Sequence, residues 1–161
     1  MKRPWFQCKP ADETFLDAAP TRLVGVFEVA RPAADVWSEL TADRPLWWCR
    51  ILDDVSWTSA RPLGVGATRT VKSLKGASVF HEHFFRWEDG RRKSFYVLES
   101  SAPLFRRFAE DYLVEPASDN SCRFTWTIAW EPQPAARFTN PVNKRILGTL
   151  HTDTRKHYGA S

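Results

Sequence analysis

The strongest constraint on the fold of this chain is an amphipathic segment near its C-terminus, residues 140–158, with the sequence NPVNKRILGTLHTDTRKHY. Its apolar side chains recur at the spacing of an α-helix and share one side, while basic residues occupy the other. The segment opens with an asparagine and a proline, which suit the N-cap and the first helical position. The predicted inward side comprises Val142, Ile146, Leu147 and Leu150. A long helix with such a side needs an apolar partner surface.

The preceding part of the chain, from about residue 22 to residue 132, reads largely as β-strands. Apolar and polar residues alternate along residues 78–88 and 122–132, which is the period of a strand with one buried face. Asp89-Gly90, directly after the first of these segments, is a strong hairpin signal. A curved antiparallel sheet of this kind would supply the surface that the C-terminal helix requires.

Two short helices are expected between the first strand and the rest of the sheet, at Ala33 to Leu40 and at Asp43 to Ile51. The element order is then strand, two short helices, about six antiparallel strands and a long helix. No repeat or linker divides this order, so we predict one α+β domain at residues 21–158. Residues 1–20 contain three prolines and are expected to form an extended arm.

The amino-acid composition argues against several classes of protein. The basic residues, 23 against 19 acidic ones, are scattered, whereas a nucleic-acid-binding protein concentrates them on one surface. Three cysteines without metal-ligand spacing favour free thiols in a reducing compartment. The chain shows no apolar run of membrane-spanning length and no signal-peptide pattern. We therefore expect a cytoplasmic protein that binds no nucleic acid and is not an integral membrane protein.

Local phrases in the sequence resemble a known superfamily. They are ARPAADVW after the first strand, WTSARPLGVGATRTV in the second and third strands, FAEDYLVEP in the sixth and CRFTWTIAWEP in the seventh. Together with the element order, they are similar to the START/Bet v1-like (SRPBCC) superfamily, in its bacterial polyketide cyclase/dehydrase and lipid-transport branch. The resemblance covers about residues 15–158. It implies a helix-grip fold, in which a curved sheet of about seven strands wraps around the C-terminal helix and encloses a cavity.

Strand alternation predicts which side chains face that cavity, since residues i and i+2 share a face. The last strand would turn Phe124, Trp126, Ile128 and Trp130 inward. The sixth strand would turn Phe108, Glu110, Tyr112 and Val114 inward. The fourth strand would turn Val79, His81, His83, Phe85 and Trp87 inward. The facing of residues 67–75 and 94–101 stays open, because both parities carry apolar residues.

The predicted cavity is aromatic, with few polar groups: His81, His83, Glu110 and Tyr112. Such walls are usual for a small-molecule site. Two histidines and one carboxylate could hold a metal ion or act as acid and base, although two hydrogen-bonded histidines in a roomy interior explain the same pattern. We expect no metal and no cofactor. A buried Glu110 needs a partner or a raised pKa.

The function that we predict is the binding of a lipid, isoprenoid or polyketide-like molecule in the cavity, by a carrier or sensor. The alternative is a polyketide aromatase/cyclase or dehydratase that uses the cavity His, Glu and Tyr side chains. Access is expected past Trp47, Trp48 and the glycine-rich loop at Gly64 to Gly66. The predicted ligand-binding residues are Trp47, Trp48, Phe85, Tyr112, Trp126, Ile128, Trp130, Ile146 and Leu150. The sequence leaves open whether the protein is a monomer or a homodimer.

Overall fold

The computed structural model describes residues 2–161 and contains one eight-stranded sheet and three α-helices within them. In chain order the elements are β1 (Phe6–Gln7), α1 (Glu13–Ala18), β2 (Thr21–Val29), α2 (Ala33–Leu40), β3 (Leu52–Trp57), β4 (Thr68–Ser73), β5 (Ser78–Glu88), β6 (Arg92–Ser100), β7 (Phe105–Ser118), β8 (Ser121–Pro132), a 3-10 helix (Pro134–Thr139) and α3 (Asn140–Tyr158). No helix in this part of the chain is long and apolar enough to cross a membrane.

The sheet is antiparallel throughout, in the order β2-β8-β7-β6-β5-β4-β3, and β1 is added at β6. Neighbouring strands in sequence from β3 to β8 are also neighbours in space, and β2 closes the order by pairing with β8. Seven of the eight strands form the curved surface on which α3 lies. The helix-grip fold predicted from the sequence is confirmed.

The predicted second short helix, at Asp43 to Ile51, is wrong. Residues 41–51 form consecutive turns, and Leu46 adopts a left-handed conformation with φ +60°. Pro45 disfavours a helical conformation at the preceding residue. The loop buries Leu46 and Trp48 and leaves Trp47 at the surface, so tertiary packing rather than a helical period decides its shape.

The N-terminal arm is not extended throughout. Asp12 caps α1 by accepting a hydrogen bond from the backbone N–H of Phe15 at 3.0 Å. The short helix buries Phe15 and Leu16 on the outer face of the sheet, in a cluster with Ala109 and Ala129. Two small residues in the sheet therefore leave the space that the arm fills.

The C-terminal helix has the predicted bounds, with Thr139 rather than Asn140 in the N-cap position. The Asn140 side chain instead accepts a hydrogen bond from Trp130 Nε1 at 2.7 Å and donates one to Thr21 Oγ1 at 3.2 Å. Gly159, in the left-handed conformation, ends the helix. Val142, predicted to face inward, is 59% exposed.

The C-terminal half of α3 packs closely on the sheet. At Gly25 in β2, a Cβ atom would lie 2.8 Å from the Phe27 ring and 2.9 Å from the ring of His151, a distance that side chains do not tolerate without movement. The 41–51 loop holds the other side of the helix, because Trp48 Nε1 donates to Thr154 Oγ1 at 2.9 Å. Only a residue without a side chain at position 25 permits this approach.

Candidate functional site

A cavity lies beneath the N-terminal half of α3, where the helix stands away from the sheet. Its lid is formed by Asn143, Ile146, Leu147 and Leu150, and its walls come from β3 to β8 and the loops beside them. The cavity volume is about 80 Å³. An engineered protein cavity of about 150 Å³ holds benzene, so even a ligand with one ring requires the helix or the loops to move.

The inner end of the cavity is polar and centres on Glu110. Its Oε2 accepts hydrogen bonds from the Tyr112 hydroxyl at 2.5 Å and from Trp126 Nε1 at 2.9 Å. Burial, followed by repulsion from Glu82, raises the pKa of Glu110 from 4.5 to about 7. The carboxyl group can therefore hold or release a proton near neutral pH, which is what acid–base chemistry needs.

An ion pair that the sequence did not predict lies next to this group. Arg69 in β4 donates from Nε to Glu82 Oε2 in β5 at 2.6 Å, and both side chains are almost completely buried. Burial alone would lower the pKa of Arg69, but the carboxylate of Glu82 outweighs it and the pKa is raised. The guanidinium also lies over the Phe95 ring, 5.0 Å from its centroid. Arg69 thus remains a buried cation at the cavity wall.

Lys93 in β6 completes a cluster of four ionisable groups, which we call the inner charge cluster: Arg69, Glu82, Lys93 and Glu110. The Lys93 ammonium nitrogen lies 4.2 Å from the Tyr112 ring centroid and 5.1 Å from that of Phe84. It has no hydrogen-bond partner among residues 2–161. Burial, then repulsion from Arg69, lowers its pKa well below the usual 10.5. Aromatic faces are the main contacts of this nitrogen.

The predicted facing of the fourth strand is wrong. Phe80, Glu82 and Phe84 of β5 turn to the inner face, while His81, His83 and Phe85 turn outward. Both faces of β5 carry apolar and aromatic residues, so alternation in the sequence does not distinguish them. A bulge between Phe84 and Arg86 then changes the phase, and Trp87 packs on the inner core as predicted.

His81 takes part in an outer-face contact instead of the cavity. Its Nδ1 is 2.9 Å from Glu99 Oε1, and its ring stacks on Trp5 at 4.3 Å between centroids. His83 lies against Tyr96, likewise outside. Because the sheet separates both histidines from Glu110, the hypothetical two-histidine, one-carboxylate metal site cannot assemble. The histidines also cannot serve as acid–base groups in the cavity.

The structure brings together five of the predicted site residues at the cavity: Glu110, Tyr112, Trp126, Ile146 and Leu150. Ile128 and Trp130 face inward and are fully buried, but they belong to the packed core rather than to the cavity wall. Trp130 is held there by Asn140. Phe85 lies outside, beside Tyr96.

The predicted access route is wrong as well. Trp47 is 67% exposed and packs edge-on against His157, and Trp48 stacks on the same imidazole at 4.0 Å. Neither tryptophan lines the cavity, and neither does the loop at Gly64 to Gly66. Leu74, at the turn after β4, both lines the cavity and is 41% exposed. The cavity wall therefore reaches the surface at that turn.

The sequence did not predict the cavity residues Arg69 and Glu82 or the adjoining Lys93. The alternation pattern around two of them, Arg69 and Lys93, does indicate that their side chains are buried. Arg69 alternates in phase with the buried Ala67 and Val71, and Lys93 alternates in phase with Phe95 and Val97. A charged residue in phase with an apolar face is the sequence signature of a buried ion.

A second buried ionic group lies on the outer face of the same strands; we call it the outer charge cluster: Arg86, Arg92, Ser94 and Asp111. Asp111 accepts from the Ser94 hydroxyl at 2.6 Å, from Arg92 through two nitrogens at 3.0 Å, and from Arg86 at 3.2 Å. Arg86 also reaches Glu13 of α1 at 3.1 Å. This cluster ties α1 to the sheet.

Several known proteins are similar to this chain in sequence or in fold. The family model described as "Polyketide cyclase / dehydrase and lipid transport" matches residues 20–154. An uncharacterized protein of Mycobacterium tuberculosis is 34% identical over 97% of this chain and 98% of its own length. A START superfamily protein from Mycobacterium smegmatis superposes with a TM-score of 0.67 at 10% identity, covering 86% of this chain and 97% of that one. Norcoclaurine synthase from Thalictrum flavum has a TM-score of 0.56 at 14% identity, covering 81% and 91%.

Proposed function

This chain belongs to the polyketide cyclase/dehydrase and lipid-transport family, and on that premise we propose that it binds a hydrophobic small molecule in the cavity beneath α3. The observation that carries the proposal is the distribution of polarity in the cavity. Its lid and most of its wall are apolar, and its ionisable groups, Arg69, Glu82 and Glu110, lie together. A site of this kind buries an apolar body and orients one polar end.

The size of the cavity sets the ligand class. At about 80 Å³, roughly half the volume of a cavity that holds benzene, it takes a short chain as it stands, and a ligand with one ring needs a small movement of the lid. A lipid, an isoprenoid or a multi-ring polyketide would need α3 to lift at its N-terminal half. The Gly25 contact and the Trp48–Thr154 hydrogen bond hold the C-terminal half in place. Lifting the N-terminal half requires the Asn140 hydrogen bonds to Trp130 and Thr21 to break.

A calorimetric titration with 2-phenylethanol tests the proposal. The wild-type protein is expected to bind it, and Ile146→Trp, which fills the cavity from the lid, is expected to abolish binding. Val142→Trp is the matched control, since position 142 lies one helical turn earlier on the same helix and is exposed. Binding that survives Ile146→Trp, or that Val142→Trp also removes, would place the ligand elsewhere. Native mass spectrometry of the freshly purified protein would give the chemical class of any ligand that co-purifies.

A second candidate function is acid–base catalysis, and the raised pKa of Glu110 favours it. Norcoclaurine synthase, named as a synthase, has the same fold. In a minimal reaction, the Glu110 carboxylate removes a proton from the carbon next to a ketone. The electron pair moves to the carbonyl oxygen, and the protonated Glu110 exchanges its proton with solvent. It then returns a solvent-derived proton to the carbon, which restores both the ketone and the carboxylate. This step requires no cofactor.

Deuterium exchange into phenylacetone, followed by NMR in D₂O, tests this second candidate. The wild-type protein is expected to accelerate exchange next to the carbonyl, and Glu110→Gln is expected to lose the acceleration. Glu115→Gln, at an exposed position of the same strand, is the control. Exchange at the rate of buffer with wild-type protein would leave binding as the function.

A further inference from the structure

We propose that the ligand is an apolar carboxylic acid whose carboxylate binds to the guanidinium of Arg69. The inference rests on the proposed function, because it names the chemical class that the same cavity accepts. It goes beyond that function by assigning the polar end of the ligand a charge and a contact residue.

The first observation is an unused donor on Arg69. Its Nε is occupied by Glu82, whereas Nη1 is buried and has no hydrogen-bond partner among residues 2–161. Arg69 is 1% exposed and lines the cavity. A buried N–H without an acceptor is costly. A guanidinium recognises a carboxylate with two parallel hydrogen bonds, which is the strongest contact of this type.

The second observation is the donor character of the surrounding groups. Lys93 Nζ is also buried without a hydrogen-bond partner. Below pH 7 the carboxyl group of Glu110 is protonated, because its pKa is raised to about 7 by burial and by Glu82. A protonated carboxyl can donate to a ligand carboxylate, so Arg69 and Glu110 both offer donors at the cavity wall, and Lys93 adds a donor behind the Tyr112 ring.

The charge balance is compatible with one additional anion. Arg69 and Glu82 form one ion pair, although burial raises the pKa of Glu82 against the attraction of Arg69. Glu110 from β7 and Lys93 from β6 are the further groups that can adjust. The lid contributes no ionisable side chain to the cavity; its polar residue is Asn143. An arriving carboxylate is therefore compensated by a proton on Glu110 or on Lys93. Binding above pH 7 should take up a proton.

Phenylacetate and 2-phenylethanol form a matched pair of probes, because they share the ring and chain length and differ in the carboxylate. In calorimetry at pH 6.5, we expect the wild-type protein to prefer phenylacetate by about tenfold or more, the scale of a charge-assisted contact. The double variant Arg69→Met/Glu82→Met should lose this preference and retain the alcohol. Removing both charges together keeps the interior neutral and preserves the fold.

The control is the double variant Arg123→Met/Glu28→Met. It removes an ion pair of the same length, 2.6 Å, that is exposed on the sheet, and it should keep the preference for the acid. Equal affinity of the wild-type protein for both probes, or a preference that survives in Arg69→Met/Glu82→Met, would overturn the proposal while the proposed function stands. Failure of both probes to bind would overturn both.

Proton linkage gives an independent readout. Titrations of phenylacetate at pH 8 in phosphate and in Tris, which differ in ionisation enthalpy, should show uptake of about one proton. The affinity should fall about tenfold for each pH unit above 7 as Glu110 ionises. Binding of phenylacetate at pH 8 without proton uptake would contradict the charge balance on which the proposal depends.

Discussion

Two buried ionic clusters lie back to back on opposite faces of β6 and β7, and they differ in how completely their polar atoms are paired. In the outer charge cluster, Asp111 holds two arginines and a serine hydroxyl. In the inner charge cluster, Arg69 and Lys93 each keep a buried nitrogen without a partner. The neighbours Glu110 and Asp111 are both nearly buried, and burial raises the pKa of Glu110, the residue beside the cavity, to about 7.

The degree of pairing separates charges with a structural role from charges that can bind a ligand. A fully paired cluster at the edge of the core joins elements, here α1 and the sheet. An incompletely paired cluster beside a cavity has free energy to gain from a ligand, since unpaired buried donors are costly in the free protein. The following substitutions test this distinction.

The largest effect is expected for Glu82→Gln. It leaves the Arg69 cation buried without its counterion, which should lower the free energy of unfolding by about 3–5 kcal/mol. Arg69→Met/Glu82→Met should stay within about 1 kcal/mol of the wild type, because an apolar pair replaces the ions. Urea unfolding at pH 7 measures both. Glu28→Gln, in the exposed pair with Arg123, should cost less than about 1 kcal/mol. Similar losses in Glu82→Gln and Glu28→Gln would show that burial does not strengthen the inner pair.

The second-largest effect is expected in the pH dependence of the free energy of unfolding, which Glu110 influences. Its pKa is raised from 4.5 to about 7, so the folded state binds the proton more tightly than the unfolded state. The stability that this group contributes is complete below pH 4.5 and is lost as the pH rises through 7, a difference of about 3 kcal/mol. Glu110→Gln should therefore be more stable than the wild type at pH 8 by about that amount and similar to it at pH 4.5. Urea unfolding at the two pH values tests this, and an equal difference at both would refute it.

His151 makes stability depend on pH in the direction opposite to Glu110. Burial, followed by repulsion from Arg155, lowers its pKa from 6.5 to about 4. The stability linked to this imidazole is complete above pH 6.5 and is lost as the pH falls to 4, again by about 3 kcal/mol. The two trends partly cancel in the wild type. His151→Phe should remove the loss on acidification in thermal unfolding at pH 4 and 7, and a loss of wild-type size would disprove the assignment.

A smaller effect is expected in the outer charge cluster. Asp111→Asn removes the shared anion, but Arg86 and Arg92 keep 15% and 29% of their side-chain surface exposed and can be hydrated. The expected loss of stability is about 2 kcal/mol, between the values for exposed and buried pairs. The affinity for 2-phenylethanol should not change. A change in affinity larger than about twofold would mean that the two faces of the sheet are coupled.

The smallest effect is expected for His81→Gln, which tests the histidine hypothesis from the sequence. His81 makes its contacts with Glu99 and Trp5 on the outer face, and a partly exposed contact of this kind contributes less than about 1 kcal/mol. Deuterium exchange and ligand affinity should match those of the wild type. If His81→Gln lost either the exchange activity or the ligand affinity, His81 would have a role at the site.

Alternation predicts the inward residues well in β7 and β8, and poorly in β5. In β8 the aromatic residues occupy one parity and charged or hydroxyl residues the other, so a single register buries the apolar set. In β5, Phe80 and Phe84 compete with Val79 and Phe85 for the inner face, and the bulge at Phe84 and Arg86 changes the phase. Local pattern contains no information that resolves such a strand; its pairing with β4 and β6 does.

Local sequence patterns are enough to predict the element order, the antiparallel sheet and the long helix, because periods of about two and 3.6 residues are local properties of the chain. They also predict that Glu110 and Tyr112 face inward. Tertiary structure is what makes the cavity charged at one end, because Arg69 and Glu82 come from two strands and become neighbours only through strand pairing. It also decided where the cavity lies. The Gly25 contact draws one half of α3 onto the sheet, and the other half remains as the lid.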